Sequence, residues 1–210
     1  MILEDLTALL DTSSIDPATY QYFTQLLNNR TIIFNQEVDE RIFERVVIPL
    51  MDFDKDNSND PVTLILATVG GSLSDGFILC NIIDQYTKPL NIIVLGYAAS
   101  MGTIILAAGA NNPNVTRKCY PYSYALLHAG STAFSGESLS VEDAMDFNKR
   151  IDKKVRAFIT SHTKVTEQEY TDHERKQWFF DAEDMLKYGF VDEIIGVNNS
   201  KGDESVEANS

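Results

Sequence analysis

The chain is short of positive charge: 17 Lys and Arg stand against 31 Asp and Glu in 210 residues, a formal net charge of -14. Such a surface repels phosphate backbones on average, and no Lys/Arg cluster rescues a binding face, so nucleic acid is excluded as a partner. Cysteine is scarce as well. Cys80 and Cys119 are the only two; at that separation they make no metal or redox motif, and they read as packing thiols in a reducing cytoplasm. No cofactor or metal is implied. Long apolar runs are missing, since none reaches about 18 residues, and Met1 to Leu10 carries Glu4 and Asp5 early with no basic start. The expectation is a cytoplasmic protein, neither secreted nor membrane-spanning. Internal repeats are absent too.

What remains is ordinary for a globular chain, 44% apolar and 23% charged. One domain over 1-197 is expected, and the polar, acidic segment 198-210, which has no apolar anchor, reads as a disordered tail. Residues 1-29 read as helical with a break at Ser13 to Pro17. Arg30 to Asn35 follows as a strand, and Glu40 to Met51 as a helix that ends in a polar loop from Asp52 to Asn59. Val62 to Thr68 is almost continuously apolar, which suits a strand covered on both faces. A helix (Leu73 to Tyr86), a strand (Asn91 to Leu95), a helix opened at Ser100 and a strand (Tyr124 to His128) come next. This succession predicts an α/β fold with a mostly parallel sheet flanked by helices. Leu139 to His162 reads as a long amphipathic helix opened by Ser140, with Ala144, Phe147, Ile151, Val155 and Phe158 along one face.

In such folds ligands collect at the carboxyl ends of the strands. Gly70-Gly71, Ser100 and His128 each fall at or just past the end of a different strand. Ser100 sits at a strand-to-helix junction among small residues, Gly96-Tyr97-Ala98-Ala99-Ser100-Met101-Gly102. That is how an acyl-transfer nucleophile is presented; it is equally where a helix N-cap serine belongs. A serine nucleophile needs a base within about 3 Å. His128 alone among the three histidines ends an apolar strand, whereas His162 and His173 read as exposed helical residues. The turn Gly70-Gly71 and the N–H of Met101 can supply two oxyanion donors, each worth roughly 3 kcal/mol of barrier. For the group that orients His128, the sequence pattern does not choose among Asp172, Asp181, Asp184 and Asp192.

Val69-Gly70-Gly71-Ser72 with Gly76, then Tyr97 to Gly102 with Ala107 to Ala110, Leu127-His128, and Tyr188-Gly189-Phe190-Val191-Asp192 together resemble the Clp proteolytic subunit family, ClpP. The likeness runs from about Leu26 to Ile195. It implies a crotonase-like α/β fold, a serine endopeptidase with Ser100 as nucleophile and His128 as base, and Gly71 and Met101 as oxyanion donors. It also implies rings of seven subunits, stacked in pairs through the protruding long helix, that enclose the active sites and take polypeptide from an AAA+ unfoldase. The chain carries no G-x-x-x-x-G-K-[ST] phosphate loop, so ATP hydrolysis would be external.

Three departures stand out. The family's triad aspartate position is Gln177 here, which supplies no negative charge; losing that acid in a related arrangement costs about 10⁴ in turnover. Asp172 is a possible substitute. The family's His-Gln-Pro is His128-Ala129-Gly130, and the amino-terminal 1-25 is divergent. The pattern resembles the ClpP-like proteins of phages and mobile elements. Two readings follow: a peptidase acting through an acyl-enzyme on Ser100, or a structural or regulatory ClpP-like subunit impaired by Gln177. Acyl-CoA chemistry on the related scaffold ranks below both, because no acid/base carboxylate or basic phosphate patch is placed for it.

Overall fold

The protein was described from a computed structural model, which describes residues 17–128, 130, 138–174 and 176–197. The expected divergent start therefore falls within the described residues only from Pro17 onward. The expected tail, 198–210, lies outside them, as does Ala129.

In chain order come α1 (Pro17–Asn28), β1 (Thr31–Phe34), a π-helical turn (Phe43–Val47), α2 (Ile48–Lys55), β2 (Val62–Thr68), α3 (Leu73–Asp84), β3 (Leu90–Ala99) and α4 (Met101–Ala107). The second half holds β4 (Val115–Cys119), β5 (Tyr124–Leu127), α5 (Ser138–His162), α6 (Glu167–His173), β6 (Trp178–Phe180), α7 (Ala182–Lys187) and β7 (Glu193–Ile194). The sheet runs β1-β2-β3-β4-β7 with every neighbour parallel. β5 joins the far end of β3 in parallel, and β6 pairs antiparallel with β5. The fold is mixed α/β with a mostly parallel sheet flanked by helices, as the strand-helix succession predicts.

Side chains of β2 alternate between buried (Val62, Leu64, Leu66, Thr68) and half-buried. The second face of this strand is thus covered only in part by the chain, less than its continuous apolar run suggests. Leu79, Cys80 and Ile83 of α3 and every residue of α4 lie in the core with β1 to β3. Each large apolar side chain buried there contributes roughly 1.5–3 kcal/mol.

Strand β3 outruns the expected Asn91 to Leu95. Gly96 bends it at φ +88°, so that Leu90 to Val94 pairs with β4 while Tyr97 to Ala99 pairs with β5. Ser123 fills the step between the two partners: its Oγ donates to the Val94 carbonyl at 3.1 Å and accepts from the Gly96 N–H at 3.3 Å. The bend carries the end of β3 alongside β5, which sets Ser100 and His128 at one edge.

Other elements differ from the sequence reading for identifiable reasons. The helix expected over Glu40 to Met51 opens with a π-helical turn and continues to Lys55, through half of the expected loop. Pro49 has no N–H to give Arg45, and the Ile48 N–H reaches Phe43 instead, which widens the turn. Ser140 does not open the long helix, which starts at Ser138. Of its apolar face, Val155 is buried and Ile151 and Phe158 pack on the core, whereas Phe147 is 58% exposed and Met145 45% exposed. Strand β4 has no apolar run; Arg117 and Lys118 are neutralised by Asp192 and Glu193 next to and within β7.

Candidate active site

Ser100 follows β3 directly and precedes α4, with φ +54° and ψ -119°. An L residue held there carries of the order of 1–3 kcal/mol of strain, so neighbouring bonds must impose it. They do: the Ser100 N–H donates to the Leu126 carbonyl of β5 at 2.7 Å, and its carbonyl accepts from the Thr103 N–H at 3.0 Å. Thr103, fully buried, adds a second tie, its hydroxyl lying 2.8 Å from the Ala98 carbonyl and 2.7 Å from that of Leu126. Ser100 makes no side-chain capping bond. The N-cap role that its sequence position allows is therefore not what this turn is for; the geometry is that of a sharp strand-to-helix elbow presenting a hydroxyl.

Gly70-Gly71 packs against that elbow. A Cβ on Gly70, whose φ is +91°, would meet the Ala99 carbonyl oxygen at 2.5 Å, Ser100 Cβ at 2.7 Å and Met101 N at 2.8 Å. Only glycine allows the approach. The turn is pinned on its other side: Val38 N–H donates to Gly70 at 2.8 Å, Ser72 N–H donates to Val38 at 2.7 Å, and Gly70 N–H donates to the Thr68 hydroxyl at 3.1 Å. An isolated parallel bridge between Val38 and Gly71 fixes the turn against the loop after β1. Met101, at the first position of α4, has an N–H that no helical carbonyl can take.

An open cleft of about 590 Å³ is lined by Gly70, Gly71, Ser100 and His128 together. Ser100 is half-buried and His128, one residue past β5, is exposed on the wall. Glu37, Asp152 and Glu174 also line the cleft, with no Lys or Arg among the described residues that line it. No group of three or more His, Cys, Asp or Glu side chains gathers to hold a metal among the described residues.

The structure places Gln177 and the four acidic candidates, Asp172, Asp181, Asp184 and Asp192, away from the cleft. Gln177 is exposed and lines neither the cleft nor the crevice described below. Asp172 is also exposed, accepts from Gln168 Nε2 at 2.9 Å, and lines neither. Asp181 caps α7 through the Asp184 N–H at 2.8 Å, and Asp192 is paired with Arg117. None of these five residues lines the cleft.

The other two histidines are not exposed as their polar surroundings suggest. His162 stacks on Phe158 with centroids 3.9 Å apart and lies 3.2 Å from Asp84. Its hydrogen bond to Asp84 raises its pKa, against burial, which lowers it. Burial alone would raise the Asp84 carboxyl, but His162 and the Gly109 N–H outweigh it and hold it below the ordinary value. His173 stacks on Trp178 at 4.0 Å. An aromatic residue one helical turn away, or on a strand that folds back, buries each ring.

A crevice of about 10 Å³, roughly one water, opens beside His128 between Leu127, Tyr170, His173, Glu174 and Trp178. Tyr170 and Glu174 line both this crevice and the larger cleft. Neither of them, nor Thr103, stands out in the sequence; a threonine in the first turn after a candidate nucleophile is the one signal available. No helix among the described residues is long and apolar enough to cross a membrane.

Comparison with known proteins agrees with the motif reading. The profile of the Clp protease family, described as "Clp protease", matches residues 14–198. An ATP-dependent Clp protease proteolytic subunit from Streptococcus mutans is 28% identical, with 93% of this chain and 100% of that protein aligned. ATP-dependent Clp protease proteolytic subunit 1 of Salinibacter ruber is 25% identical over 90% of this chain and 80% of its own length. For ATP-dependent Clp protease proteolytic subunit 2 of Thermobifida fusca the figures are 28%, 86% and 88%. The match takes in everything but the two ends, including the elbow, the glycine turn and His128. The chain belongs to the Clp protease family.

Proposed function

We propose that this chain is a serine endopeptidase that cleaves polypeptide through an acyl-enzyme on Ser100. The observation that carries the reading is the strained Ser100 elbow, φ +54°, sharing one cleft with His128 and with the glycine turn packed on it. Backbone strain in non-glycine residues clusters at active sites.

In the proposed reaction, His128 takes the Ser100 hydroxyl proton as Oγ adds to the scissile carbonyl carbon. The oxyanion accepts from the N–H groups of Gly71 and Met101. His128 then gives its proton to the leaving amine as the C–N bond breaks. Water, deprotonated by His128, hydrolyses the ester and frees Ser100. No cofactor enters any step.

Self-association into rings, with stacked pairs enclosing the cleft, belongs to the same proposal. It is supported by Met145 and Phe147, apolar and exposed on the first half of α5, and by the half-covered face of β2. Unfolded substrate fed by an external AAA+ unfoldase fits the family, as does cytoplasmic residence. The second reading, an impaired structural or regulatory subunit, is favoured by one observation: the neutral Gln177 at the triad acid position, turned to solvent.

The test is hydrolysis of a fluorogenic peptide by the assembled protein, with rings followed by sedimentation. Loss of turnover in Ser100→Ala, with assembly retained, supports the peptidase. Equal rates in wild type and Ser100→Ala refute it, and absence of turnover in both favours the second reading.

A further inference from the structure

Resting on the peptidase reading above, the geometry points to Glu174 as the carboxylate that positions His128, in place of an acid at position 177. His128 stands between the cleft it shares with Ser100 and the one-water crevice, and Glu174 is the one carboxylate among the described residues that lines both. No direct hydrogen bond or ion pair joins His128 to Glu174, and groups on the walls of so small a space stand about a single water apart.

One ion pair ties the exposed Glu174 side chain to α5. Glu174 ends α6, and Arg156 of α5 donates from Nη2 to its Oε1 at 2.8 Å. The Arg156 guanidinium also lies over the Tyr170 ring at 5.2 Å, and Tyr170 lines the same two spaces. Behind them His173 stacks on Trp178 and donates from Nδ1–H to the Glu169 carbonyl at 2.9 Å. Arg156 engages one oxygen of Glu174 at 2.8 Å, and a carboxylate has a second with which to accept from a water that in turn accepts from an imidazole N–H.

Competing groups are placed less well. Glu37, in the loop after β1, and Asp152 of α5 line the cleft, and neither lines the crevice. Tyr170 and His173 carry no negative charge at neutral pH. Glu174 therefore acts through His128: it selects the imidazole orientation and favours the cation formed as Ser100 attacks. Sequence comparison with the family motif hides this, since the acid arrives three residues early and from the end of a helix.

The experiment measures the rate at which a fluorophosphonate labels Ser100 in the full-length assembled protein, together with peptide turnover, from about pH 5 to 9. Glu174→Gln is expected to slow both by about 100-fold or more. It should also move the acid limb of the labelling profile to lower pH, since a negative charge across the crevice is gone. Glu174→Asp should recover most of the loss. A structural contribution alone would leave the pH limb in place. Labelling and pH profile unchanged in Glu174→Gln overturn the assignment of Glu174 while leaving the peptidase intact. So does a rate that responds to Asp172→Asn or Gln177→Asp and not to Glu174→Gln. Wild-type Ser100 that never labels overturns the peptidase reading, and this assignment with it.

Discussion

Thr103 offers the sharpest test of how the Ser100 elbow is held. Its one hydroxyl hydrogen is shared between two main-chain carbonyls, Ala98 at 2.8 Å on β3 and Leu126 at 2.7 Å on β5, and the residue is fully buried. Thr103→Val keeps the shape and removes the donor. Leaving a buried acceptor without its partner costs about 1–3 kcal/mol. Leu126 keeps the Ser100 N–H at 2.7 Å, so the lower part of that range, about 1–2 kcal/mol, applies. At roughly 2–4 °C per kcal/mol for a domain of this size, Tm should drop by about 2–8 °C. Thermal unfolding must be compared at one protein concentration, because assembly raises apparent stability. The larger effect is on turnover: a displaced nucleophile can lose on the order of 10²-fold. We expect kcat for a peptide to fall about 10- to 100-fold with KM little changed, and Thr103→Ser to retain most of the rate. Wild-type kcat and Tm in Thr103→Val would refute the tie between α4 and the two strand ends. A Thr103→Ser variant as slow as Thr103→Val would assign the role to the methyl group instead.

Three further outcomes follow from other sites. Gly70→Ala places a Cβ 2.5–2.8 Å from main-chain atoms of Ala99 and Met101 and from Ser100 Cβ; it should lose about 1 kcal/mol or more of stability and nearly all peptidase activity, and a fully active variant would show that the turn does not press on the elbow. For the His162–Asp84 pair, the raised imidazole contributes stability that is complete below about pH 6.5 and lost as pH rises through its folded value, while the depressed carboxyl contributes above about pH 4 and fades as pH falls through its own. His162→Gln should therefore lower Tm more at about pH 5.5 than at about pH 8.5, and an equal deficit at both would contradict the linkage. Burial pushes the Cys119 thiol up to about 11 and Cys80 higher still, so Ellman's reagent should find neither in the native protein and both after denaturation; rapid native labelling of either would contradict their burial.

The site was legible in the sequence where function and local pattern coincide. Val62 to Thr68 reads as a strand because it is apolar at nearly every position, and the glycine turn, Ser100 and His128 can then be placed by counting strand ends. What sequence does not carry is the bend. Gly96 reads as one more small residue before Ser100, yet it divides β3 between two partners and so brings β5 to Ser100. Strand β4 escapes because Arg117 and Lys118 look exposed until Asp192 and Glu193 arrive from far along the chain. The shift of helix register at Pro49 depends on a missing N–H that a periodic pattern ignores. Glu174 escapes for a related reason: nothing local links the end of α6 to the end of β5, and only β6, pairing antiparallel with β5, folds the two together.

The central claim is that Ser100 is a nucleophile activated by His128, and the direct measurement is mass spectrometry of the assembled protein after exposure to a fluorophosphonate. A single adduct on Ser100, absent in Ser100→Ala and slowed by orders of magnitude in His128→Ala, is the result the account predicts. Peptide hydrolysis that persists undiminished with no adduct on Ser100, or with the adduct on another serine, would contradict it.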